Sequence, residues 1–274
     1  MSLRVFGLLM LLALTSCVSH SPAERQSKVD LLVAGKNWQK LQLPTVDFVL
    51  TAYAPSTITN SDMLTIYIEG DGLAWVNSST PSFNPTPNNP LALKLALRDT
   101  SPAAYLARPC QYVELSQSRN CSQKYWTHSR FSEEVINASN QAIDQIKLRF
   151  NADKIILVGY SGGGAVAALV AARRRDVIRL VTIAGNLDHH IWAKKHHLSP
   201  LSNSLNPADE WEKLQNIPQT HFVGGMDLNV GESVARAYVA KFPSTLTPSI
   251  VVIPNFDHHC CWEDSWPNLK DRKQ

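Results

Sequence analysis

The sequence predicts an α/β fold, with a mostly parallel central sheet and helices on both of its faces. Two observations carry that expectation. Short apolar runs alternate along the chain with longer segments of helical periodicity, the pattern of strands buried on both faces and joined by crossover helices. One such run ends in Gly159-Tyr160-Ser161-Gly162-Gly163 and is followed at once by an alanine-rich helical stretch, so strand, tight turn and helix succeed one another directly. The 274 residues suit one large domain, and no internal repeat divides them.

Taken in order, the chain opens with Arg4 and an apolar run from Val5 to Leu14, too short to span a bilayer and suited to the core of a signal peptide over residues 1–16. The following Leu14-Thr15-Ser16-Cys17 resembles a bacterial lipobox. That resemblance implies cleavage before Cys17, attachment of palmitate-type acyl chains to it, and a protein held on a membrane of the bacterial cell envelope without crossing it. Two or more chains anchor stably where one does not. Val18 in place of aspartate favours the outer membrane, facing the periplasm. The competing reading is an ordinary secretory signal with a cysteine nearby.

Residues 17–44 read as a tether and a first helix near residues 29–34, and residues 45–274 as the folded domain. Strands are expected over residues 46–53 and over the apolar run 63–68, which ends in Glu69-Gly70-Asp71-Gly72. Residues 77–90, rich in Ser, Pro and Asn, form a long surface connection beside the site. A helix over 91–98 follows, with Pro90 suited to its first turn. Ser101-Pro102 opens a further short helix, and residues 111–115 form a strand.

Ser132, Glu133 and Glu134 begin a strong helix whose apolar positions run from Val135 to Phe150. It leads into the strand 153–158. Beyond the helix at 165–172, strands are expected at 180–184, 221–223 and 249–253, with a helix over 230–242. Residues 188–217 form an insertion between two of these strands and a candidate lid, with Trp192, Trp211 and Pro200 in it. Its four histidines, His189, His190, His196 and His197, read as a solvated face.

A formal net charge of +3 without a long basic block gives no reason to expect nucleic-acid binding, and Arg173, Arg174 and Arg175 suit a helix end opposite the dipole. Apart from Cys17 there are four cysteines, an even number in a chain that reads as exported. A Cys110–Cys121 bridge closes a short local loop. Cys260 and Cys261 are left either bonded to each other or as thiols. His258-His259-Cys260-Cys261 lacks the spacing of a zinc site, so neither metal nor cofactor is assigned.

The chemistry gathers at three distant positions. A serine on a glycine-flanked strand-to-helix turn reads as a nucleophile, the plainer alternative being a turn that binds phosphate. Its hydroxyl needs an imidazole to accept the proton and a carboxylate to orient that imidazole. Asp227 follows one strand and His258 follows the last, giving the chain order Ser, Asp, His. The plain readings are a helix cap for Asp227 and a surface loop for His258; Asp188, also beyond a strand, is the rival acid. Donors for a developing oxyanion are expected from the amides of Gly162 and Asp71.

The motifs GYSGG, GGMD and PNFDHH make residues 45–265 resemble the α/β-hydrolase superfamily, most of all its lipase, esterase and dienelactone-hydrolase-like members. Further segments are similar to those of uncharacterised bacterial hydrolase lipoproteins. The resemblance implies the α/β-hydrolase fold and a serine hydrolase acting on a small acyl ester or thioester through Ser161, with Asp227 and with His258 rather than His259. Glu69 departs from the histidine common at the start of the oxyanion loop. The alternative is a catalytically silent hydrolase fold serving as an envelope binding or scaffold protein.

Overall fold

The computed structural model describes residues 21–113 and 119–270; the expected signal peptide, Cys17 and residues 114–118 lie outside them. The chain order is α1 (Pro22–Ala34), β1 (Trp38–Pro44), β2 (Val49–Pro55), β3 (Met63–Ile68), α2 (Leu91–Leu97), β4 (Ala103–Leu106), α3 (Glu133–Phe150), β5 (Lys154–Tyr160) and α4 (Gly162–Ala171). It continues with β6 (Val177–Ile183), α5 (His189–Lys195), α6 (Trp211–Leu214), β7 (Gln219–Gly224), α7 (Gly231–Val239), β8 (Ser249–Ile253) and α8 (Trp262–Leu269). The eight strands form one sheet in the order β1-β2-β4-β3-β5-β6-β7-β8. Strands β3 to β8 run parallel, and β2 is antiparallel to both of its neighbours.

Two apolar cores lie on opposite faces of this sheet, because successive side chains of a strand point to opposite sides. In β3, Leu64, Ile66 and Ile68 join α3 and α4, whereas Tyr67 joins α1, α2 and α8. In β5, Ile155 and Leu157 take the first side, and Val158 and Tyr160 the second. Strands buried in this two-sided way carry the near-continuous apolar runs seen in the sequence.

Three local expectations are corrected. Residues 101–102 open no helix: they lead into β4, whose four residues are all buried between β2 and β3. Residues 111–113 form a bend, not a strand, since Cys110 and Tyr112 have φ of 71° and 59°, outside any extended conformation. The segment read as tether and first helix holds a longer helix, α1, closed by a Ser21/Glu24 capping box, and the edge strand β1. Seven residue pairs join β1 to β2, and Leu41 and Leu43 face the core, so the sheet begins before residue 45.

Candidate active site

Parallel pairing sets the site. Ile68 at the end of β3 pairs with Gly159 near the end of β5, so the loop 69–72 leaves the sheet beside the turn holding Ser161. Ile183 pairs with Phe222, and Gly224 with Ile253, which brings the loops after β6, β7 and β8 to the same edge. Ligand sites of open α/β sheets lie at this carboxyl edge.

Ser161 sits at φ 51° and ψ −122°, a conformation costing on the order of 1–3 kcal/mol for a residue with a side chain. Its surroundings hold it there. The Ser161 amide donates to the Ile183 carbonyl (2.9 Å), and its own carbonyl accepts from the amides of Gly164 (2.9 Å) and Asn186 (3.0 Å). Helix α4 turns back so closely that a Cβ on Gly159 would lie 2.3 Å from the Gly163 carbonyl oxygen. The start of this ten-residue helix points at the serine, and its positive dipole end favours an anion there.

Ser161 Oγ lies 3.0 Å from His258 Nε2, and His258 Nδ1 lies 2.8 Å from Asp227 Oδ2. The structure thus joins the three sequence-selected side chains in one hydrogen-bonded chain. Asp227 divides its oxygens: Oδ1 accepts from the amides of Asn229 (2.8 Å) and Val230 (3.0 Å), fixing the turn into α7. Burial raises the Asp227 carboxyl, but the His258 hydrogen bond and charge and these two amides outweigh it and hold the group below its ordinary value.

Asp188, the rival acid, caps α5 instead, accepting from the amides of His190 (3.1 Å) and Ile191 (3.3 Å). His259 does not take the place of His258; its Nδ1 lies 2.9 Å from the Tyr160 hydroxyl, which donates to the His258 carbonyl (3.1 Å). His189 is buried, its ring 6.1 Å from that of Phe131, which corrects the reading of all four insertion histidines as solvated.

The loop 69–72 presses on the serine turn: a Cβ on Gly70 would lie 3.3 Å from Ser161 Cβ. A Cβ on Gly162 would lie 2.0 Å from Asp71 Oδ1, so the Asp71 carboxylate covers this glycine and leaves room for no side chain there. The carboxylate is gripped from two sides, by Arg108 Nη1 at 3.0 Å and Arg130 Nη1 at 2.7 Å. Both guanidiniums are anchored by main chain: Arg108 Nη2 donates to the Arg130 carbonyl, and Arg130 Nε to the Thr127 carbonyl at 2.6 Å. Burial raises the Asp71 carboxyl, and the charges of Arg130 and Arg108 reverse the effect and hold it low. This clamp, the Tyr160 strut and the role of Arg130 escaped the sequence reading, because no local spacing links positions 71, 108 and 130.

Glu69, at the mouth of the same loop, is buried at 1% exposure. Burial pushes its carboxyl up to about 7, against the amides of Gly70 and Ala92, which lower it. Its Oε1 accepts from Gly70 at 3.0 Å and from Ala92, in the first turn of α2, at 3.4 Å.

Above Ser161 and His258 opens a cleft of about 1080 Å³. Trp75, and Pro87 from the long Ser/Pro/Asn connection, border it, as do Trp192, Leu198 and Leu201 from the 188–217 insertion. Cys110 and Cys121 are bonded, with Cα atoms 5.6 Å apart, and Cys260 and Cys261 are bonded to each other. Among the described residues, no group of three or more His, Cys, Asp or Glu side chains is arranged to hold a metal ion. Among the same residues, no helix is long and apolar enough to cross a membrane.

No protein-family model matches the chain, and no curated protein matches it in sequence. Solved structures do resemble it. Est1E from Butyrivibrio proteoclasticus, in a structure with ferulic acid bound, superposes with a TM-score of 0.60 at 14% identity, over 84% of this chain and 96% of that one. The Pyrococcus furiosus esterase Pf2001 gives 0.58 at 9% identity, over 85% and 88% of the two chains. A putative dienelactone hydrolase from Klebsiella pneumoniae gives 0.56 at 16% identity, over 83% and 88%. With the sheet order, the helices on both faces and these likenesses together, the chain has the α/β-hydrolase fold.

Proposed function

We propose that this protein is a serine hydrolase that cleaves a carboxylic ester or thioester through an acyl-enzyme on Ser161. The observation that carries the reading is the continuous hydrogen-bonded chain from Ser161 Oγ through His258 to Asp227 at the floor of the cleft. Its likeness to esterases, one of them holding ferulic acid, supports the same class of substrate.

In this reading Ser161 Oγ attacks the substrate carbonyl while His258 Nε2 takes its proton. Asp227 keeps the imidazole in the tautomer that has a free Nε2 and stabilises the imidazolium. Negative charge on the carbonyl oxygen is met by the amides of Gly162 and Asp71, where loss of one donor costs roughly 3 to 4 kcal/mol. The imidazolium returns the proton to the departing alcohol or thiol, and the acyl group stays on Ser161. Water then attacks the acyl-enzyme with His258 as base, releasing the acid and restoring the serine.

A fluorophosphonate probe is expected to label the protein on Ser161, and Ser161→Ala to abolish both labelling and hydrolysis of a short p-nitrophenyl ester. Labelling that survives the substitution refutes the reading. Upstream, Cys17 is proposed as the lipid-bearing residue that tethers the hydrolase to the bacterial envelope, at the outer membrane facing the periplasm. Cys17→Ala is expected to move the protein from the membrane to the soluble fraction on cell fractionation.

A further inference from the structure

The cleft is asymmetric in charge. The acids among its lining residues are Glu69 and Asp71, and Asp71 is already committed to two guanidiniums. Two arginines on one carboxylate leave one positive charge uncompensated. Arg130, one of the pair, lines the cleft. Its Nε and Nη1 are taken by Thr127 and Asp71, its guanidinium lies 5.7 Å from the centroid of Trp192, and Nη2 has no protein partner among the described residues.

The same wall carries a second cation. Lys124, in the 3-10 turn Gln123–Trp126, also lines the cleft, its Nζ held 4.6 Å above the Tyr125 ring. Even an ionised Glu69 leaves this wall with a positive excess. Apolar groups line the same cleft, Trp75 and Leu198 among them. A cation that is buried, fixed by main-chain contacts and open at one edge is arranged for a fixed anionic partner.

We propose that the wall formed by Arg130 and Lys124 is a binding site for an anionic oxyacid group, carboxylate or phosphate, carried by the ester within a few bonds of its scissile carbonyl. The short spacing follows from the contacts. Arg130 touches the Asp71 carboxylate, which covers Gly162, the residue next to the nucleophile. The substrate class is therefore an acidic ester, and this assignment rests on Ser161 being the nucleophile.

The test uses the full chain and two readouts. First, the Ser161→Ala protein is titrated calorimetrically with succinate, glycerol 3-phosphate and neutral glycerol. At least one anion is expected to bind where glycerol does not, with affinity falling as salt rises. Binding of succinate alone assigns a carboxylate, and of glycerol 3-phosphate alone a phosphate. Second, kcat/KM is compared by pH-stat for monoethyl succinate against ethyl 4-methylpentanoate, and for acetyl glycerol 3-phosphate against glyceryl monoacetate. Lys124→Glu, an exposed substitution that spares the Asp71 clamp, is expected to lower kcat/KM about tenfold for the anionic member of the preferred pair and to leave the neutral one within about twofold.

Failure of both anions to bind, in a protein whose wild type is labelled on Ser161, overturns the anion site, as does an equal effect of Lys124→Glu on charged and neutral esters. A wild type that is neither labelled nor hydrolytic, while Ser161→Ala still binds an anion, removes the serine mechanism and leaves the site standing.

Discussion

At the scale of single residues, the site depends on side chains that each hold two positions at once. Asp227 fixes the entry to α7 with one oxygen and the His258 ring with the other, and Asp71 fits its loop against Gly162 while joining two arginines. Glu69 is different, because burial makes its charge unfavourable. Its carboxyl is raised from an ordinary value of 4.5 to about 7, so the folded protein holds this proton more tightly than the unfolded chain does. The contribution is most favourable below pH about 4.5 and is lost as pH rises through about 7. Glu69→Gln is expected to flatten this decline, by about 3 kcal/mol across the window, in urea unfolding followed between pH 4.5 and 8. Identical slopes for the two proteins would contradict the assignment. Ser161, Asp227 and His258 were readable in the sequence because each follows a recognisable apolar strand, and such strand ends meet at one edge. Arg108 and Arg130 were not, since guanidiniums on two loops become neighbours only once the chain between them has folded back.

At the scale of elements, strands with long apolar runs, such as β3, β5 and β8, were legible from composition. β4 was not. Its Ala103-Ala104-Tyr105-Leu106 is too short for a period of two to be told from a helical turn, and pairing on both sides decides its state. β1 was hidden for a related reason: as an edge strand it buries only part of its length, and its Gln and Lys residues read as a polar tether. Among the described residues of the connection between β4 and α3, which carries the cationic wall, the regular structure is the 3-10 turn Gln123–Trp126. The Cys110–Cys121 bond, closing a separation of 11 residues, ties it to the bend after β4. In the chain-entropy view a loop of this size is worth up to about 3 kcal/mol. Replacing both cysteines by serine is expected to lower stability by 1 to about 3 kcal/mol in urea and to reduce kcat/KM, as Arg130 loses its fixed frame. Unchanged stability and turnover would show that the segment is held by packing alone.

At the scale of the whole molecule, two cores and one sheet make the edge that carries Ser161, Asp227 and His258 depend on helix α8. Trp262 and Trp266 of α8 are both buried, and Trp262 Nε1 donates to the Asp257 carbonyl (3.0 Å), next to His258. Trp266 Nε1 donates to the Tyr67 hydroxyl (2.8 Å), which donates to Asp99 (2.6 Å), and Lys270 also pairs with Asp99. Trp266→Ala is expected to cost about 3–5 kcal/mol, visible as a lower urea midpoint with hydrolysis retained by the fraction still folded.

The segment between β6 and β7 meets the cleft through Trp192 and residues 198–201, and it also braces the turn that holds Asp227: Trp192 Nε1 donates to Asn229 Oδ1 (3.3 Å), and Lys195 Nζ donates to the carbonyls of Leu228 (3.5 Å) and Val230 (3.4 Å). The shape of the cleft mouth and the alignment of Asp227 are consequently coupled in this scaffold. Grafting a foreign stretch between positions 188 and 217 would therefore reshape the mouth of the cleft and at the same time remove the braces on residues 228–230, whose amides at 229 and 230 hold Asp227.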